Sequence, residues 1–112
     1  MNKFSILLLD DVSENIYSLK LLIEENFDIN IFTALKAQEA IEIVMNNTID
    51  LILTDVQMPD VDGFEFAQYL KDVESTKNIP VIFRMYQINL DGKKRIYQKY
   101  WNQYEHFIEE NI

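Results

Sequence analysis

Short apolar runs of strand length alternate with stretches whose apolar residues recur every three or four positions, and this alternation restricts the chain to few architectures. Phe4 to Leu9 reads as a buried strand. Ser13 is placed to act as an N-cap, and Ile16, Leu19, Leu22, Ile23 and Phe27 follow at helical spacing. Ile29 to Ala34 is a second strand-like run; Ala37, Ala40, Ile41, Val44 and Met45 mark a second helix. Leu51 to Thr54 makes a third strand, and Phe64, Ala67, Leu70 and Val73 a third helix. Pro80 to Phe83 opens a fourth strand, with the proline where a missing N–H is tolerated. A β-α repeat of this kind predicts an α/β fold: a doubly wound parallel sheet covered by helices on both faces. With 112 residues, a single domain over 1–112 is expected.

The first and third runs both end in acids. Asp10 and Asp11 follow "ILLL", and Asp55 follows "LILT". Ligands of parallel sheets bind beyond the carboxyl ends of the strands, so these three carboxylates are expected to converge in one crevice. Carboxylates at such distances raise each other's pKa unless a cation compensates. An all-oxygen, high-charge set suits Mg²⁺, which takes few protein ligands and keeps several waters. A carboxylate beside that ion can attack phosphorus and become an aspartyl phosphate. Capping or ordering a loop explains any one of the three acids equally well. Asp-Asp after one strand, joined with Asp-x-x-Met-Pro after another, is much more specific.

Charge narrows the partners. Nineteen acids against ten bases give a net charge of −9, which opposes direct nucleic-acid binding and suits a divalent cation or a basic partner. Four of the bases, Lys93, Lys94, Arg95 and Lys99, crowd a short segment near the end. No apolar run approaches the ~20 residues of a membrane span. Acids follow the N-terminal apolar run where a cleavable signal places small residues. Cysteine is absent, so neither disulfides nor thiolate metal sites arise. A cytoplasmic protein without membrane contact is the expectation.

"LLLDD", "DLILTDVQMPDVDGFE" and "IPVIF" together resemble the receiver domain of two-component response regulators, with the resemblance running from about Lys3 to Phe83. It implies a flavodoxin-like three-layer sandwich with Asp55 as phosphoacceptor. Asp10, Asp11 and Asp55 would then hold Mg²⁺, with the backbone carbonyl of Gln57 completing the protein ligands. Asp62 and Gly63 would form the turn into the third helix. The implied partner is a sensor histidine kinase or a phosphotransfer protein. Two relatives of the architecture fit less well. Asp10-Asp11-Val12 is not a flavodoxin's hydroxyl-rich phosphate loop, and Gln57 stands where a haloacid-dehalogenase-type phosphatase has its second aspartate.

The resemblance thins after Phe83. Receivers carry Thr or Ser at the end of the fourth strand and Lys-Pro after a fifth; here Met85 takes the hydroxyl position and Lys-Pro does not occur. A gapless count puts Tyr104 near the aromatic switch position and Phe107 where the lysine belongs. Ile96, Tyr97, Tyr100, Trp101, Tyr104, Phe107 and Ile108 recur instead at helical steps. Residues 84–112 are therefore expected to be a divergent tail on a family-like core of 1–83. One long amphipathic helix would replace the fifth strand and last helix, leaving four strands. A hairpin at Asp91-Gly92 is the alternative shape, and a truncated or frame-shifted segment the alternative origin. Arg84 fits a fourth strand lying at an edge. That edge, or the tail helix, offers a surface for a homodimer. The second functional expectation follows: a degenerate receiver serving as a phosphorylation-independent binding or dimerisation module. His106, on the tail, reads as a solvated or packing residue.

Overall fold

The computed structural model describes residues 3–84. Seven elements follow one another as strand and helix in strict alternation: β1 (Ser5–Leu9), α1 (Ser13–Asn26), β2 (Asn30–Ala34), α2 (Ala37–Asn46), β3 (Leu51–Asp55), α3 (Gly63–Lys71) and β4 (Val81–Arg84). The four strands are all parallel and lie in the order β2-β1-β3-β4. The chain thus winds outward in both directions from β1, and the order reverses between β1 and β3.

Burial explains why the central strands read as unbroken apolar runs. Every residue of β1 is buried, and so are Leu51 and Ile52 of β3. Successive residues along each strand serve opposite faces. Leu7, Leu9 and Ile52 pack with Ala37, Ala40 and Val44 of α2 and with Phe66 and Leu70 of α3. Ile6, Leu8, Leu51 and Ile82 face the other way, against Leu19 and Ile23 of α1. The result is three layers, α1 beneath the sheet and α2 with α3 above it. Each large apolar side chain fully withdrawn from water stabilises the fold by roughly 1.5–3 kcal/mol.

Local details depart from the sequence pattern in three places. Helix α1 is capped at Val12 rather than Ser13. Val12 has extended backbone angles, its carbonyl accepts from Asn15 N, and its own N–H donates to Asp10 Oδ1 at 2.9 Å. The carboxylate ordering the entry to α1 therefore comes from the preceding strand end, and Ser13 is already helical. Leu22 and Phe27 stay exposed: Leu22 is turned off the Ile16–Leu19–Ile23 stripe, and Phe27 lies past the helix end on extended backbone. Val73 falls beyond α3, which closes at Lys71 with Asp72 as C-cap. The buried Thr76 hydroxyl then donates to the Leu70 carbonyl at 2.7 Å, satisfying a helix-end acceptor.

Among the described residues β2 and β4 are the outer strands. The tail helix, its hairpin alternative, Met85, His106 and any dimer contact through the tail lie outside the described residues.

Phe66 has no solvent exposure and sits in the upper core, whereas Tyr69 on the same helix is 43% exposed. Phe66→Ala should lower the unfolding free energy by about 3–5 kcal/mol in urea titrations, and Tyr69→Ala by less than about 0.5 kcal/mol.

Candidate phosphoryl-acceptor and metal site

The parallel register builds the site. Leu9, the last residue of β1, pairs with Thr54, so Asp10, just past β1, and Asp55, the last residue of β3, lie side by side at the carboxyl rim. Asp11 follows at the start of the turn into α1. One carboxylate oxygen from each of Asp10, Asp11 and Asp55 lies within 4.8 Å of the others. The convergence expected of these three acids is present. Asp10 is fully buried, Asp55 is 7% exposed and Asp11 is exposed, so the cluster has a closed floor and an open lip.

Each buried acid is held by backbone donors. Asp10 N donates to Ala34 O, and the Asp10 carboxylate accepts from Val12 N. Gln57 N points at Asp55 Oδ1 from 3.4 Å. These contacts do not neutralise the charge. Withdrawal from water, followed by the field of Asp10, lifts the Asp55 carboxyl from 3.8 to about 6; the N–H groups of Gln57 and Val56 oppose the lift, and Asp11 adds slightly to it. A site that raises its own acid so far is short of positive charge. Three hard oxygen donors meeting at this spacing fit a small divalent cation such as Mg²⁺.

The segment after Asp55 bends away at once. Asp60 adopts φ 69°, and Val61 N donates to Pro59 O at 2.9 Å, the hydrogen bond of a γ-turn centred on Asp60. Asp62 caps α3, its carboxylate accepting from Glu65 N at 2.8 Å. Met58, in this segment, is half-buried against the core that holds Leu7, Ile52 and Phe66. The Phe64 and Phe83 rings meet in a tilted pair, centres 4.8 Å apart and planes at 60°, tying α3 to β4 beside the site. Gly63 N donates to Val56 O at 2.8 Å. The closeness of Gly63 to the Asp55 backbone went unseen in the sequence; a glycine directly after a helix cap, where helix propensity disfavours it, was the available signal.

The response regulator receiver domain profile matches residues 6–104, most of the chain. The chain belongs to that family. The matched span continues past Phe83. A gliding motility regulatory protein of Myxococcus xanthus is 48% identical over 58 residues, covering 52% of this chain and 8% of that protein. The response regulator Rre1 of Synechocystis sp. is 32% identical over 79 residues, covering 70% of this chain and 34% of the relative. The chain thus spans about a third or less of these two curated relatives. Among solved structures, the N-terminal domain of a response regulator receiver protein from Methanoculleus marisnigri JR1 superposes with a TM-score of 0.73 at 23% identity, covering 97% of this chain and 96% of that one. That likeness establishes the flavodoxin-like α/β fold. This receiver is a signalling domain of two-component systems rather than an enzyme in the usual sense. The family match does not favour the purely degenerate binding module as its role. Among the described residues, no helix is long and apolar enough to cross a membrane.

The raised Asp55 pKa sets a pH dependence. Near pH 4 and below, the folded and unfolded chains both carry the proton. Between pH 4 and 6 the unfolded chain loses it while the folded chain retains it, so this group's contribution to stability declines as pH rises through that window. In metal-free buffer, calorimetry should show Asp55→Asn more stable than the wild type at pH 7, with the gap closing toward pH 4. Added Mg²⁺ at pH 7 should raise the wild-type Tm more than that of Asp55→Asn.

Proposed function

We propose that this receiver accepts a phosphoryl group on Asp55, with Mg²⁺ held by Asp10, Asp11, Asp55 and the backbone carbonyl of Gln57. The observation that carries this reading is the meeting of three acid oxygens from two neighbouring strand ends, one of them nearly shielded from water and raised in pKa. Receiver domains take phosphoryl groups from histidine kinases or phosphotransfer proteins. Here that partner, working in the cytoplasm, is the donor.

In the proposed transfer, ionised Asp55 directs an oxygen lone pair at phosphorus. The new O–P bond forms as the P–N bond of a phosphohistidine breaks, and the electron pair departs with the imidazole nitrogen. With acetyl phosphate as donor, the P–O bond breaks and acetate leaves. The bound ion supplies the charge neutralisation that the three acids lack and that the transferring oxygens need. Asp10 and Val12 fix the floor of the crevice, while exposed Asp11 leaves its mouth open to a donor.

Readout of the phosphate is proposed to be weak. Each charge-assisted hydrogen bond lost at the phosphoryl group removes roughly 1.5–3 kcal/mol. With methionine in the hydroxyl position and no Lys-Pro downstream, two such bonds are missing by family register. Together they amount to much of the ~5.5 kcal/mol that turns a mostly-off ensemble mostly on.

Incubation with Mg²⁺ and acetyl phosphate should add one phosphoryl mass to the intact protein. Asp55→Asn, or chelation of the metal, should abolish the adduct in mass spectrometry. A folded wild type that binds Mg²⁺ yet forms no adduct would overturn the phosphoacceptor reading.

A further inference from the structure

We propose that Gly63, assisted by Thr54, is a positioning residue for Asp55, acting through the peptide that follows the phosphoacceptor. The proposal rests on the phosphoacceptor reading for its kinetic consequence, but its geometric content stands separately.

Three contacts converge on the Asp55–Val56 backbone. The buried Thr54 hydroxyl donates to the Asp55 carbonyl oxygen at 3.0 Å. Gly63 N donates to the Val56 carbonyl at 2.8 Å. The Gly63 Cα faces the same Asp55 carbonyl so closely that a Cβ there would overlap its oxygen, and would lie only 3.0 Å from Val56 Cα and 3.1 Å from the carbonyl carbon. These neighbours are backbone atoms, which cannot swing aside as the tip of a flexible side chain would.

The direction of this grip matters for chemistry. The Asp55–Val56 peptide carries the Val56 N–H, and the next peptide the Gln57 N–H; these are the two backbone donors that partly offset the raised pKa of the Asp55 carboxyl. Any residue at 63 larger than glycine must drive α3 and the end of β3 apart. Both amides would then shift relative to the carboxylate they serve. Gly63 has no positive φ, so the need is for close approach and not for an unusual backbone conformation. Asp62 completes the arrangement by fixing where α3 begins. The first turn of α3 thus indexes the nucleophile against the metal-binding acids across a single peptide.

The test compares the wild type with Gly63→Ala, Thr54→Val and Val44→Ala, the last a core truncation in α2. Phosphorylation by acetyl phosphate is followed at saturating Mg²⁺ and donor, together with the amide ¹H–¹⁵N shifts of Val56 and Gln57. Gly63→Ala is expected to slow phosphorylation at least ten-fold and to move both amide signals. Thr54→Val is expected to slow it about three-fold, again with moved signals. Val44→Ala should lose stability while keeping its rate within two-fold and both signals in place. A folded Gly63→Ala with near wild-type rate and unmoved amides would overturn the proposal. Should Gly63→Ala not fold, Thr54→Val decides by the same criteria. If the wild type takes no phosphoryl group, the functional reading falls and the amide shifts alone decide the positioning role.

Discussion

The parallel pairing of β1 with β3 is the constraint on which the rest of the molecule depends. Because Leu9 faces Thr54 in register, Asp10, just past β1, and Asp55, the last residue of β3, lie side by side and their carboxylates converge. A slip of one residue would turn each strand's side chains to the opposite face and disperse the cluster. The apolar layers enforce the register. Leu7 and Leu9 must meet the α2–α3 layer while Ile6 and Leu8 meet α1, so the hydrophobic effect places two acids side by side against their electrostatic preference.

That placement links folding with function. Burial and mutual repulsion are unfavourable for the ionised form of Asp55, and the same features make the site receptive to a cation. The backbone donors moderate the effect without removing it. Val12 N serves Asp10, and Gln57 N lies near Asp55, so the beginnings of two loops are organised by the acids that precede them. Loop structure and site charge are in this respect one arrangement. The core supplies the rigidity that holds it.

Much of this was legible in the residues. Apolar runs bounded by turn signals matched every described strand to within a residue or so, most clearly for β1 and β3, whose burial on both faces leaves few polar interruptions. The acids at their ends were conspicuous for the same reason. Helix details were less accessible. Ser13 has the chemistry of a cap, yet the carboxylate of Asp10 already orders the entry to α1, and no periodicity argument contains that side-chain-to-backbone contact. Leu22 matched the spacing of its helix but not its buried stripe, since periodicity lists apolar positions without saying which stripe meets the sheet. The proximity of Gly63 to Asp55 was invisible for a related reason: it joins residues separated by a whole loop, and only the packing of α3 onto β3 reveals it.

The γ-turn at Asp60 restricts how this loop can drift in sequence. A left-handed backbone at that point is comfortable for glycine, acceptable for asparagine or aspartate, and adverse for valine, isoleucine or threonine, whose branched Cβ crowds the neighbouring carbonyl. Substitutions there are filtered by stereochemistry before any question of charge arises. The bend between Asp55 and α3 should accordingly outlast considerable change in the side chains around it, with the narrow set of residues at position 60 as its lasting mark.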